Sequence, residues 1–208
     1  SGRRMAEFPG LDDARSLQVD AFFANISLAM ANKEHHAAPI PMSFDYTKLP
    51  ILGEIAVTYR CNNRCRFCYA GCDGACGRLD SPDIEPERIE RIIDIFKEDA
   101  KIPFFSFTGG EPLMRGELDR LMRYACDRGL RINLVTNGSL ATPERARSLY
   151  EAGLRTAQIS LESTEASIHD DLCGRPNAWE QTVRGIENLR AAGIAVQTNT
   201  TTTRANIH

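Results

Sequence analysis

The sequence predicts an α/β protein built around a parallel sheet. After Pro50, short apolar runs rich in β-branched and aromatic residues alternate with helical segments of about ten to fifteen residues. Glycines at positions 129, 153 and 193 each follow a helical segment, where they favour its termination. Strands that alternate with helices are joined by right-handed crossovers, so neighbouring strands should be parallel.

Five strands are predicted, over residues 51–58, 102–107, 130–136, 154–161 and 194–200. The helices between them are predicted over residues 86–100, 117–127, 143–152 and 178–192, the third opened by a Thr142 cap and Pro143. Side chains alternate along a strand, which predicts one polar and one apolar face. The set expected to face the interior pocket is mostly polar and comprises Glu54, Ala56, Thr58, Ser106, Thr108, Asn133, Val135, Asn137, Gln158, Ser160, Glu162, Gln197 and Asn199. The apolar set, expected under the helices, is Ile55, Val57, Phe105, Phe107, Ile132, Leu134, Ile159 and Val196.

The chain is expected to contain an N-terminal extension over residues 1–50 and a core domain over residues 51–208. Apolar residues recur every three or four positions between residues 11 and 34, which predicts one amphipathic helix packed on the core or a partner. Three prolines within residues 37–50 indicate an irregular connector. The chain stops where another helix would begin, so later strands and any further domain are expected beyond it.

Composition argues against nucleic-acid and membrane partners. The formal net charge is −3 and the basic residues are spread along the chain, so no strong positive field is expected. The most apolar early stretch, residues 19–31, is interrupted by polar side chains and is too short to span a bilayer. These features predict a cytoplasmic protein.

Five of the seven cysteines fall within sixteen residues, which in a reducing compartment indicates metal binding rather than disulfides. Cys61, Cys65 and Cys68 form a C-x3-C-x2-C motif directly after the first strand. This spacing can place three thiolates on three corners of a four-iron cube and leave the fourth corner open. The alternative is a structural zinc site made by Cys65, Cys68, Cys72 and Cys76.

The sequence C-N-N-R-C-R-F-C at residues 61–68 resembles the cluster loop of the radical S-adenosylmethionine (SAM) superfamily, including an aromatic residue before the last cysteine. The resemblance implies a partial β/α (TIM-like) barrel that carries a [4Fe-4S] cluster and SAM. It further implies reductive cleavage of SAM to a 5'-deoxyadenosyl radical that abstracts hydrogen from a substrate. An external donor such as flavodoxin or ferredoxin would supply the electron.

Further matches to this family lie at the predicted strand ends: T-G-G-E-P at residues 108–112, T-N-G at 136–138 and S-L-E-S at 160–163. The resemblance implies that the glycines let the backbone approach the methionine part of SAM and that Glu111 pairs with its ammonium group. Glu162 stands where many relatives have aspartate. The implied cofactor-binding residues are Phe67, Tyr69, Thr108, Gly109, Gly110, Glu111, Asn137, Ser160 and Glu162.

His169-Asp170, Gly174 and Trp179 are similar to a branch of the family that matures peptides or haem and quinone cofactors, often with a C-terminal auxiliary-cluster (SPASM) domain. A ribosomal peptide or protein is therefore the first expected substrate, and a tetrapyrrole or other small cofactor precursor the second. Those relatives commonly carry arginine where this chain has Cys173, and the nearest arginine is Arg175. A non-catalytic metal-binding or electron-transfer module is the alternative from another class.

The remaining cysteine and histidine positions have simpler interpretations. Cys72 and Cys76 are expected to be thiols in a glycine-rich loop, with a second metal as the alternative. Cys126 is expected to pack in the core, and Cys173 to be a thiol, with a role near SAM or substrate as the alternative. His169 is predicted to start a helix without a catalytic role.

Overall fold

The computed structural model describes residues 52–71 and 82–207. The predicted N-terminal helix and connector, Cys72 and Cys76 lie outside these ranges. The described part corresponds to the predicted core domain.

Five parallel strands form one sheet in the order β1-β2-β3-β4-β5, so each strand pairs with its neighbours in sequence. The strands are β1 (Leu52–Ala56), β2 (Phe104–Thr108), β3 (Arg131–Thr136), β4 (Thr156–Ser160) and β5 (Ala195–Asn199). Strictly sequential parallel order requires every connection to cross back in the same sense. The predicted parallel α/β fold is confirmed, and the carboxyl ends of all five strands lie along one edge.

The helices are α1 (Pro86–Glu98), α2 (Leu118–Asp127), α3 (Pro143–Glu151), α4 (Ala166–Cys173) and α5 (Ala178–Ala191), with a short 3-10 helix at Pro112–Met114. Thr142 caps α3 as predicted, because its side chain accepts a hydrogen bond from the Arg145 amide at 3.2 Å. In the described ranges, no helix combines the length and the apolar run that a membrane crossing needs.

Only the start of helix α4 was addressed from the sequence, and the helix begins at Ala166, three residues before the predicted start at His169. Its eight residues include two aspartates and a histidine and carry only a weak apolar stripe, so tertiary contacts rather than propensity stabilise it. Gly174 ends it in the left-handed conformation, with φ at 62°. His169 was predicted to start a helix, but it is the fourth residue of α4 and is fully buried.

The predicted alternation of faces is confirmed. The apolar set is buried under the helices at 8% exposure or less, apart from Val196, which packs partly buried against the same core. Phe105 and Phe107 meet edge to face there, with ring centroids 4.9 Å apart. On the opposite face, Asn133 donates to Ser106 Oγ at 3.4 Å and Gln197 donates to Gln158 Oε1 at 3.2 Å. Polar groups thus pair across neighbouring strands on the face turned away from the helices.

Candidate functional site

The three cysteines of the C-x3-C-x2-C motif lie on one tightly turned loop after β1. The Asn63 amide donates to Cys61 Sγ at 3.4 Å, and the Cys68 amide donates to the Cys65 carbonyl at 3.1 Å. All three thiols are half-buried. Burial raises the pKa of Cys61 to about 11, and the charges of Glu111, Cys65 and Cys68 contribute in the same direction. The three thiols therefore lie on one loop that follows the carboxyl end of β1.

The double glycine after β2 brings two backbones into direct contact. The amides of Gly110 and Glu111 donate to the carbonyls of Thr58 and Arg60, both at 2.8 Å. A Cβ atom added at Gly109 would lie 2.3 Å from the Thr58 carbonyl oxygen, and one at Gly110 would lie 2.4 Å from that of Arg60. These positions need glycine because the start of the cysteine loop occupies the space of a side chain.

Glu111 is fully buried and joins the ends of β2 and β3. Its Oε1 accepts from the Leu113 amide at 2.9 Å and the Thr136 hydroxyl at 2.6 Å, and its Oε2 accepts from the Asn137 amide at 2.8 Å. Burial raises the pKa of this carboxyl, and the three hydrogen bonds offset part of the rise. A carboxylate offers about four lone-pair directions, so these three hydrogen bonds leave one acceptor direction unused.

Asn137 connects the end of β3 to the cysteine loop. Its Nδ2 donates to Asn62 Oδ1 at 2.8 Å, and Asn62 Nδ2 donates to Ser139 Oγ at 2.9 Å. From the other side, the Thr182 hydroxyl on α5 donates to the Asn137 carbonyl at 2.9 Å. The loop is thus positioned by side chains of β3 as well as by the backbone after β2.

Arg175 connects the loop between α4 and α5 to the cysteine loop. Its Nε donates to Asn63 Oδ1 at 2.6 Å and its Nη1 donates to Gln181 Oε1 at 2.6 Å. The remaining nitrogen, Nη2, is buried and has no hydrogen-bond partner among the residues that the structure describes. A buried guanidinium nitrogen without an acceptor is uncommon, and an anionic or carbonyl group bound there would satisfy it.

The end of β4 is organised by Glu162, which is only 2% exposed. Its amide donates to His169 Nδ1 at 3.0 Å, and its Oε2 accepts from the Thr201 amide at 2.8 Å. Burial raises the pKa of the Glu162 carboxyl. A cavity of about 350 Å³ opens beside it, lined by residues that follow β4, such as Ser163, by Thr198 of β5 and by Asn206 of the segment after β5.

Cys173, at the end of α4, lies against the cysteine loop. The amides of Arg64 and Arg66, on either side of Cys65, donate to the carbonyls of Cys173 and Leu172 at 2.9 and 3.0 Å. A side-chain hydrogen bond with Cys173, together with burial, raises the pKa of the Cys65 thiol. Sequence reasoning missed this contact because it depends on how α4 packs against the cysteine loop and joins residues that are distant in the chain.

Arg115 is a second residue that sequence reasoning missed. It is 1% exposed, and its two terminal nitrogens donate to the carbonyls of Val57 and Ile84, both at 2.5 Å. It therefore links the end of β1, before the cysteine loop, to the segment that leads into α1. Its position shortly after the T-G-G-E-P motif was the available signal, but an arginine in a loop is more often exposed.

The other predicted site residues occupy less constrained positions. Thr108, Ser160 and Phe67 are half-buried near the strand ends or on the loop, whereas Tyr69 is 91% exposed. Their roles as SAM contacts stay predictions. Tyr69 has the least support, because its ring faces solvent in this structure.

The donor set fits a cubane cluster. In the described ranges, no three His, Cys, Asp or Glu side chains come together where a single metal ion could bind. A cubane makes a different demand, since each thiolate binds its own iron corner and the sulfurs need not converge on one point. Three half-buried thiols on one turned loop meet that demand.

Comparison with known proteins is consistent with this donor set. The family model described as the radical SAM superfamily matches residues 55–205. An AdoMet-dependent heme synthase of Nitratidesulfovibrio vulgaris (strain Hildenborough) is 41% identical over 152 residues, which are 73% of this chain and 40% of that protein. The mycofactocin maturase MftC of Mycobacterium tuberculosis is 28% identical, over 82% of this chain and 43% of that protein.

Among solved structures, Streptococcus suis SuiB bound to S-adenosylmethionine is similar with a TM-score of 0.64 at 20% identity, covering 75% of this chain and 35% of SuiB. This likeness shows the fold and confirms the predicted partial barrel. The chain spans about 40% of the length of the heme synthase and of the maturase. With a family model matched over most of its length, on a parallel sheet that carries three cysteines at the strand ends, the chain belongs to the radical SAM superfamily.

Proposed function

We propose that Cys61, Cys65 and Cys68 bind a [4Fe-4S] cluster with one open iron and that this chain binds SAM beside it. The observation that carries the proposal is the placement of the three thiols on one loop, fastened by hydrogen bonds to the ends of β2 and β3. When bound, the cluster would supply the electron that cleaves SAM reductively to a 5'-deoxyadenosyl radical. An external donor such as flavodoxin or ferredoxin would reduce it.

The side chains around the loop offer complementary groups for an amino-acid zwitterion. Glu111 keeps one acceptor direction for an ammonium group, and Arg175 Nη2 is a buried donor whose partner a carboxylate would supply. Both residues are already fixed by other hydrogen bonds, so they would lose little conformational freedom on binding. We assign them to the methionine part of SAM, with Gly109 and Gly110 beside it.

The ends of β3 and β4 would hold the rest of the cofactor. Asn137 is held by a hydrogen bond to Asn62, and Glu162 by one from the Thr201 amide. Ser160, the last residue of β4, is half-buried. Ligands of parallel α/β folds bind at the carboxyl ends of the strands, where these residues lie. The cavity beside Glu162 provides space for this part of SAM.

For the substrate we propose a tetrapyrrole, with a peptide as the second candidate. Support for the tetrapyrrole comes from relatives named AdoMet-dependent heme synthase, at 41% and 34% identity. Support for the peptide comes from a relative named mycofactocin maturase, at 28% identity. The two heme synthases are closer to this chain in sequence than the maturase, over a similar share of the chain. We therefore place the tetrapyrrole before the peptide, whereas the motif at residues 169–179 had placed the peptide first.

The central test is SAM cleavage by the purified protein. After anaerobic reconstitution with iron and sulfide, dithionite and SAM should yield 5'-deoxyadenosine and methionine. Cys65→Ser should lower bound iron and abolish the products, whereas Cys126→Ser, a thiol on α2, should change neither. Zinc uptake without iron uptake, or a cluster whose spectrum SAM leaves unchanged, would support the non-catalytic module instead.

The substrate proposal needs its own assay. Iron-coproporphyrin III, the tetrapyrrole in the name of a relative that is 32% identical to this chain, and a candidate precursor peptide would each be added to the SAM-cleavage reaction. A tetrapyrrole substrate should increase 5'-deoxyadenosine production and be converted to a product of different mass, as read by mass spectrometry. Stimulation and modification of only the peptide would reject the tetrapyrrole and support the second candidate.

A further inference from the structure

The turn between α4 and α5, residues 174–177, carries Arg175 to the cysteine loop. It begins at Gly174 and ends at Asn177, and both are in the left-handed conformation, with φ at 62° and 58°. This conformation is ordinary for glycine but uncommon for asparagine, so it persists at Asn177 only where neighbouring contacts fix it. The contacts that hold this short turn therefore decide where the Arg175 guanidinium lies.

Asp170, on α4, supplies those contacts. Its Oδ2 accepts from the Asn177 amide at 2.7 Å, and its Oδ1 accepts from the Trp179 amide at 2.8 Å. Its backbone carbonyl accepts from the Arg175 amide at 3.1 Å. Amides in the first turn of a helix have no partner within the helix, so the carboxylate also fixes the start of α5. One residue thus fastens the turn and the helix that follows it.

The side chain of Arg175 is held from both sides. Its Nε donates to Asn63 Oδ1 in the cysteine loop, and its Nη1 donates to Gln181 Oε1 near the start of α5, both at 2.6 Å. Its Nη2 is buried and lacks an acceptor in the described part of the chain. The position of this donor therefore depends on Asp170 by two routes, through the backbone of the turn and through the start of α5.

We propose that Asp170 is a positioning residue for SAM, which holds Arg175 Nη2 where the carboxylate of the methionine part would accept from it. The inference rests on the proposed function, because it takes Arg175 as the partner of that carboxylate. Both carboxylate oxygens of Asp170 are engaged by backbone amides, so Asp170 acts through Arg175 and not on SAM directly. A donor that is already oriented loses less freedom on binding, so loss of Asp170 weakens SAM binding rather than slowing the chemical step.

The first measurement uses the cluster-free protein and does not depend on the cofactor. Asp170→Ala leaves the amides of Asn177 and Trp179 without their acceptor, so hydrogen–deuterium exchange of a peptide spanning residues 174–181 should become about tenfold faster. Asp119→Ala is the matched control, because that carboxylate also joins two helices, α2 and α3, through Arg145 at 2.6 Å. It should leave exchange of this peptide unchanged. Unchanged exchange in Asp170→Ala would overturn the inference.

The second measurement is SAM binding by the reconstituted protein, read from the change that SAM makes in the EPR signal of the reduced cluster. At equal iron content, Asp170→Ala should raise the dissociation constant of SAM about tenfold, as expected when a hydrogen bond to a charged group loses its orientation. The rate of 5'-deoxyadenosine formation at saturating SAM should stay near that of the unmodified protein. Asp170→Asn retains one acceptor oxygen and should give a smaller rise, and Asp119→Ala should give none.

A double-mutant cycle shows whether Asp170 acts through Arg175. Arg175→Met removes the donor itself and should raise the dissociation constant at least as much, and adding Asp170→Ala to it should cause no further rise. Effects that multiply in the double variant, or an unaltered SAM affinity in Asp170→Ala, would contradict the inference. If the unmodified protein assembles no cluster or does not bind SAM, the proposed function fails instead, and the exchange measurement still decides whether Asp170 fixes the turn.

Discussion

Replacing Glu111 by glutamine tests whether the buried carboxylate is what ties β2 to β3. The carboxylate accepts three hydrogen bonds, two at Oε1 and one at Oε2. Glutamine has nearly the same shape but only one acceptor oxygen. If that oxygen takes the Oε1 position, the Leu113 amide and the Thr136 hydroxyl keep their acceptor, and the Asn137 amide faces an NH₂ group.

The cost follows from this count of acceptors. One buried amide without an acceptor destabilises by about 1–3 kcal/mol. Loss of the negative charge weakens the two retained hydrogen bonds but also removes the desolvation penalty that raises the pKa of Glu111, so these two effects oppose each other. We expect Glu111→Gln to lower the free energy of unfolding by about 1–3 kcal/mol, and Glu111→Ala, which leaves three donors unpaired, by about 3 kcal/mol or more.

Urea denaturation of the cluster-free protein, kept reduced and followed by circular dichroism, measures this difference. Glu117→Gln is the matched control, because that carboxylate is 51% exposed and lies 3.5 Å from Arg115, so its loss should cost less than about 1 kcal/mol. If Glu111→Gln proved as stable as the unmodified protein, the desolvation of the charge would outweigh its hydrogen bonds. The account of Glu111 as the connection between the two strand ends would then be wrong.

Three further results are expected. Gly110→Ala places a Cβ atom against the carbonyl of Arg60, so it should displace the cysteine loop at a cost of about 1–3 kcal/mol and reduce bound iron. Gly116→Ala is the control, because the space around Gly116 is open, and equal iron contents in the two variants would contradict the prediction. Because the pKa of Cys61 is raised from 9.0 to about 11, iodoacetamide should alkylate Cys61 in the cluster-free protein about 100-fold more slowly at neutral pH than an ordinary thiol. Peptide mass spectrometry measures the alkylation rate as a function of pH, and a rate profile with its midpoint near pH 9.0 would contradict the prediction. Arg115→Met leaves the buried Val57 carbonyl without this donor, while water can reach the partly buried contact at Ile84. The free energy of unfolding in urea should fall by about 1–3 kcal/mol, and an unchanged value would show that water replaces the guanidinium at both carbonyls.

Much of the fold could be predicted from local pattern. Alternation along the strands identified the buried face, since Ile55, Phe105 and Leu134 all lie under the helices. Helix starts and stops were similarly readable, because Thr142 and the glycines act through bonds within a few residues of themselves. These features depend on near neighbours in sequence, so the sequence carries them directly.

The site divides in the same way. The spacing of Cys61, Cys65 and Cys68 places three thiols on one loop whatever lies around them, and the family match over residues 55–205 agrees with that interpretation. The double glycine was predicted to let the backbone approach SAM, and the structure places both glycines against backbone carbonyls at the start of the cysteine loop. Contact of these residues with SAM stays a prediction.

By itself, the sequence determined the order of strands and helices, the polar and apolar faces of the sheet, and the presence of a cysteine loop suited to a cubane, because each follows from residues close together in the chain. Only the tertiary structure decided which distant groups complete the site. Cys173, Arg175 and Arg115 reach the cysteine loop or its flanks through contacts that span the packing of α4 and the neighbouring loops. Such contacts depend on how elements pack in three dimensions, and no local periodicity records them.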